Sequence, residues 1–176
     1  MKFFDVLNER RSTRAYKQAP VPEESLKKIL EAAVSAPSAG NLQAYEMVII
    51  RDRTGLTRLA RTASRQAFME NAPLAIVFLA NPQRNRPTFG ERADELLAAQ
   101  DATIACAYAE LAAAALGLGA CWIGDFDEEE VRAVTGAPEE WKPVAIMPLG
   151  YTVEKAPSRN RRPLNTIVHE GMARKS

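Results

Sequence analysis

Pro73 to Ala80 reads PLAIVFLA, a continuous apolar run short enough for a strand covered on both faces. Lys142 to Tyr151 (KPVAIMPLGY) has the same character and predicts a second buried strand. Outward from these, Tyr45 to Arg51 (YEMVIIR) is a strand candidate rich in β-branched residues, and Gly119 to Phe126 (GACWIGDF) begins as a short strand and ends in a turn. Glu23 to Ser35 places Leu26, Ile29, Leu30, Ala33 and Val34 at helical spacing just after Pro22. Thr54 to Glu70 predicts one or two helices with Leu56, Leu59, Ala60 and Ala63 inward. Asp127 to Val134 predicts another, its acidic first turn favoured by the helix dipole. Met1 to Asn8 predicts a short helix with Phe3, Val6 and Leu7 on one face. Glu91 to Leu118 reads as one long helix with an Ile104, Tyr108, Leu111, Ala115, Leu118 stripe; apolar nearly all round, it is expected in the core or at a subunit interface. Asn81 to Gly90 is expected as a mobile surface loop. Strands and helices mix without strict βαβ alternation, so the expected class is α+β, a sheet flanked by helices.

The chain has 176 residues, with 23 Lys+Arg against 22 Asp+Glu. That balance suits one domain with a substantial core, excludes disorder, and gives no reason to invoke nucleic acid. Cys106 and Cys121 are too few for a disulfide framework, and His169 is the sole histidine, which disfavours a zinc site. The apolar run Ala102 to Leu118 contains Glu110 and abuts Asp101, so no membrane span is expected. MKFFDVLNERR lacks the apolar stretch of a signal peptide, and the expected location is cytoplasmic.

Two basic clusters stand out. Arg10, Arg11, Ser12 and Arg14 follow the first helix, and Arg159, Arg161 and Arg162 lie near the other end. Guanidinium forks match phosphate oxygens, so converging clusters would make a dianion pocket; either alone is more often a solvated surface. Two small-residue loops, Pro37 to Asn41 and Gly117 to Gly124, would let backbone amides approach a flat ligand. The second has a G-x-G-x4-G spacing and lies between helix and strand, the reverse of a dinucleotide fingerprint. There is no G-x-S-x-G elbow, P-loop or H-E-x-x-H, and Cys121 sits in an apolar setting that makes it inert. Few catalytic side chains beside candidate phosphate and backbone sites suit an enzyme whose chemistry belongs to a bound cofactor.

The segments RRSTR (10–14), APSAGNLQ (36–43), GLGACWIGDF (117–126) and SRNRRPLNTIV (158–168) resemble, in order and over essentially the whole chain, the flavin-dependent nitroreductase family. The resemblance implies a single 1–176 domain with a central mixed, mainly antiparallel sheet. It also implies an intertwined homodimer with FMN at the subunit interface, and a 152–176 extension packing on the partner. Arg10, Arg11, Ser12 and Arg14 would then hold the flavin phosphate and polar edge, with Arg159 and Arg161 completing the phosphate site. Pro37, Ser38, Ala39 and Asn41 would lie against the flavin from the partner, and Trp122, Ile123 and Gly124 would bring backbone groups to N5. The implied activity is ping-pong transfer from NADH or NADPH through FMN to a nitroaromatic, quinone or related acceptor, with no side chain as acid or base. A specialised flavin enzyme for one metabolite (a reductive dehalogenase or enone reductase) is the alternative, and a non-enzymatic flavin-binding module a third. Gln43-Ala44-Tyr45 departs from the family's frequent Gln-Pro-Trp.

Overall fold

Strand β2 (Leu74–Ala80) shows why its sequence has no polar alternation. Leu74, Ile76 and Phe78 enter one core, Ala75, Val77 and Leu79 enter a second, and all are buried. An antiparallel sheet commonly leaves one face to water, and this one is covered on both. The computed structural model describes residues 2–64, 66–154 and 156–171. Among them the sheet has four strands ordered β1 (Tyr45–Ile50), β2, β4 (Lys142–Gly150), β3 (Gly119–Ala120), with every ladder antiparallel. Parallel pairing there is confined to a single bridge, Ser12 with Ala120.

Helices α2 (Glu23–Val34) and α5 (Ala98–Ala115) pack on the first face; α3 (Arg53–Thr62) and α6 (Glu128–Thr135) pack on the second. The starts of α3 and α6 are set by aspartates. Asp52 Oδ1 accepts from Gly55 N–H at 2.7 Å, and Asp127 Oδ1 from Glu130 N–H at 3.0 Å. The stretch after α3 resumes as a 3₁₀ turn, Ala67–Asn71, so the expected region holds two elements.

Two expectations gain detail, and a third, the open loop at 81–90, is corrected. The long helix forms, entered through a π turn at Ala93–Leu97, but its buried face is Ala98, Asp101, Ala102, Ala105, Cys106, Ala109 and Ala113. Small side chains let α5 lie close on the sheet, while along the expected stripe Tyr108 is 40% exposed, Ile104 is half-buried against that core, and Leu118, just past the helix, is buried. Helix α1 (Phe3–Glu9) buries Val6 alone; Phe3 and Leu7 are exposed in the single chain. The 81–90 stretch is no open loop. It forms a 3₁₀ turn, Pro82–Arg84, then α4 (Arg86–Phe89), with Asn81 and Asn85 buried and Asn81 Nδ2 donating to Glu46 Oε1 at 2.8 Å. From residue 157 the described chain is exposed, including Leu164, Ile167 and Val168. Among the described residues no helix is long and apolar enough to cross a membrane.

Candidate anion cavity and flanking loops

The segment 10–16 is laid across the end of the sheet. Thr13 N–H donates to Ala120 O at 2.9 Å, and the buried Tyr16 hydroxyl donates to Thr13 O at 2.9 Å and Pro148 O at 3.1 Å. Burial raises the Tyr16 pKa further above its already high ordinary value, so the hydroxyl remains a donor. This anchoring holds Arg10, Arg11, Ser12 and Arg14 on one wall of a cavity of about 560 Å³. The opposite wall is the segment from Ala156 to Arg161, including Arg159 and Arg161. The two arginine clusters therefore meet. Arg162 does not line this cavity; its Nη2 donates to Thr166 O at 2.6 Å.

The cations are not equivalent. Arg10 Nη1 donates to Glu110 Oε1 at 3.1 Å, in a pair shielded from solvent. Arg11 Nη1 donates to Asn8 O at 2.6 Å and Arg10 O at 2.8 Å, while its Nε is buried without an acceptor. The Arg14 guanidinium lies 5.9 Å from the Phe68 ring centroid. Among the described residues no carboxylate pairs with Arg14, Arg159 or Arg161. Among the described residues the cavity thus gathers three arginines, Arg14, Arg159 and Arg161, that no carboxylate pairs with.

Glu110 was visible in sequence only as an interruption of an apolar run. Burial raises its pKa, and Arg10, by charge and hydrogen bond, only partly opposes that. A carboxyl with a raised folded-state pKa is most favourable while protonated. Its contribution is fully present below the unfolded value, near 4.5, and is lost as pH rises through the folded value. Urea titrations at stepped pH should therefore show Glu110→Gln gaining stability relative to wild type as pH climbs from 4.5 upward. A parallel pair of curves would contradict this.

The second loop, Pro37 to Asn41, does not line the cavity in its own chain. Gly40, Asn41 and Gln43 have φ of 58°, 57° and 50°, a left-handed backbone braced by Asp101, another residue unmarked by any motif. In the third segment, Ile123 N–H is already committed to Ile146 O at 3.0 Å. Gly124 is exposed, and its N–H has no acceptor among the described residues. Cys121 is buried, which raises its thiol pKa despite the opposing charge of Arg14. No group of three His, Cys, Asp or Glu among the described residues could hold a metal.

A sequence model of the nitroreductase family matches residues 7–64 and 55–151. An NADH dehydrogenase of Thermus thermophilus is 34% identical, covering 91% of both chains. The FMN reductase [NAD(P)H] of Bacillus subtilis is 28% identical over 93% of this chain and 71% of its own. The solved FMN-dependent nitroreductase of Clostridium difficile superposes with a TM-score of 0.82 at 30% identity, covering 96% of this chain and 99% of that one. The chain belongs to the nitroreductase family.

Proposed function

We propose that the chain is an FMN-dependent NAD(P)H oxidoreductase, working as a homodimer on nitroaromatic, quinone or related acceptors by a ping-pong mechanism. The observation that carries this reading is the meeting of the two arginine clusters on one cavity. The residues present fit a phosphate dianion. Among the described residues Arg14, Arg159 and Arg161 lack carboxylate partners, Arg11 Nε is buried without an acceptor, and Ser12 adds a hydroxyl. The nicotinamide flavin oxidoreductases among its relatives support the choice of FMN over another phosphate ligand.

FMN, when bound, supplies the capacity to accept and pass on a hydride or electrons. The chain's share is binding and orientation. Arg10, Arg11, Ser12, Arg14, Arg159 and Arg161 hold the phosphate end. The free Gly124 N–H, presented between Trp122 and the turn, offers a donor to the ring, a placement that stabilises negative charge on it. Pro37, Ser38, Ala39 and Asn41 serve the ring bound in the second copy. The outward apolar side chains of α1 and α5, with Leu164, Ile167 and Val168 of the tail, suit burial in that dimer. Residues 1–176 form one domain, with the extension from residue 152 embracing the partner.

The test is the absorbance spectrum of purified protein, then anaerobic additions of NADH and NADPH. A flavin spectrum that bleaches, with FMN released on denaturation, is expected, followed by reoxidation on adding a quinone or nitroaromatic. Protein that is colourless and takes up no added FMN would overturn the reading.

A further inference from the structure

The loop from Ser38 to Ala44 is tied at both ends by one side chain. Asp101, on α5, is 2% exposed. Its Oδ1 accepts from Ala39 N–H at 2.9 Å and its Oδ2 from Ala44 N–H at 3.2 Å. Within that span Gln43 N–H donates to Ser38 Oγ at 3.0 Å, and Asn41 N–H to Ser38 O at 3.0 Å.

The restraint has work to do, because Asn41 and Gln43 are not glycines and yet hold φ of 57° and 50°. Side-chain-bearing residues adopt that region when surrounding contacts over-determine it. The chemistry of the clamp is also specific. Two converging N–H donors require a group that accepts through both atoms, which a carboxylate does and a carboxamide does not. Further contacts brace the same loop from the 81–90 stretch. The Phe89 ring lies against Gly40, where a Cβ would come within 3.3 Å, and Asn81 N–H donates to Ala44 O at 2.9 Å.

We propose that Asp101 is a positioning residue for flavin. By fixing both ends of the 38–44 loop it sets the surface offered to the isoalloxazine ring, and so governs ring affinity without touching the ring. This rests on the flavin reading above.

The experiment uses Asp101→Asn in the full chain, an isosteric change that replaces one acceptor with a donor facing Ala39 or Ala44 N–H. Hydrogen exchange is followed at residues 39–44 in flavin-free protein. Riboflavin and FMN affinities and the visible circular dichroism of bound flavin are measured alongside. Exchange at Ala39 or Ala44 should accelerate. Both flavins should bind about tenfold more weakly, as losing one hydrogen bond to a charged group implies, with an altered dichroism band. The FMN-to-riboflavin affinity ratio should stay at its wild-type value, since the phosphate end is untouched. A variant with wild-type affinities and dichroism would overturn the role while leaving the flavin reading intact. Wild-type protein that binds neither flavin would overturn both. Should Asp101→Asn fail to fold, Asp101→Ser keeps one acceptor in less volume. Wild-type exchange also decides directly: unprotected Ala39 and Ala44 amides would overturn the clamp.

Discussion

Arg159→Ala combined with Arg161→Ala is expected to weaken FMN binding about a hundredfold while leaving riboflavin binding nearly unchanged. Both arginines line the cavity together with the 10–14 segment, and neither has a carboxylate partner among the described residues. A hydrogen bond to a charged group is worth about 1.5–3 kcal/mol, or roughly tenfold or more in affinity for each arginine removed. Riboflavin has the same ring without the phosphate, so it isolates the term. Fluorescence titration with both flavins reads the difference. Added salt should shrink it, because the cavity mouth is open to solvent. Parallel losses for the two flavins would mean that these arginines act through the fold. Arg162→Ala should change little, since Arg162 bonds to Thr166 O and does not line the cavity.

The second large effect concerns stability. Gly119→Ala should destabilise the chain by about 3 kcal/mol, the upper end of ordinary overpacking costs. A Cβ there would fall 2.4 Å from Thr13 Oγ1 and 2.8 Å from both Thr13 Cβ and Cγ2. Thr13 is itself buried and tied to Ala120 O, so it cannot swing aside. Gly119 pairs with Gly150, where a Cβ would meet Pro73 Cδ at 2.6 Å and Tyr16 at 3.2 Å. The two facing glycines let segment 10–16 lie flat on the sheet end. Urea denaturation should show the lower midpoint, and flavin binding should weaken with it because the 10–14 wall is displaced. Adding Thr13→Ala should recover part of the loss, a coupling that a double-mutant cycle measures. A Gly119→Ala protein within about 0.5 kcal/mol of wild type would refute the packing account.

Much of the architecture was legible because it is written in near-neighbour patterns. The apolar runs of β2 and β4, the helical spacing of α2 and the acidic first turn of α6 each express a local pattern. The arginine clusters were legible as chemistry, since residue type alone makes them anion ligands. The large stripe on α5 announced the helix but not its deepest face, because hydrophobic size is not depth. Close approach of helix to sheet selected the alanine and cysteine face instead. The 81–90 stretch misled in the other direction, its polar composition concealing the buried Asn81 and Asn85.

The sequence by itself determined the α+β class, the family and the candidate phosphate ligands, all of which rest on residue identity and short-range order. Only the tertiary structure decided that the two basic clusters share one cavity, that Arg162 faces away, and that Glu110 and Asp101 serve as buried partners. The reason is physical. Which side chains meet across a folded core depends on how the sheet and helices pack, and spacing along the chain does not encode contacts between residues far apart in it.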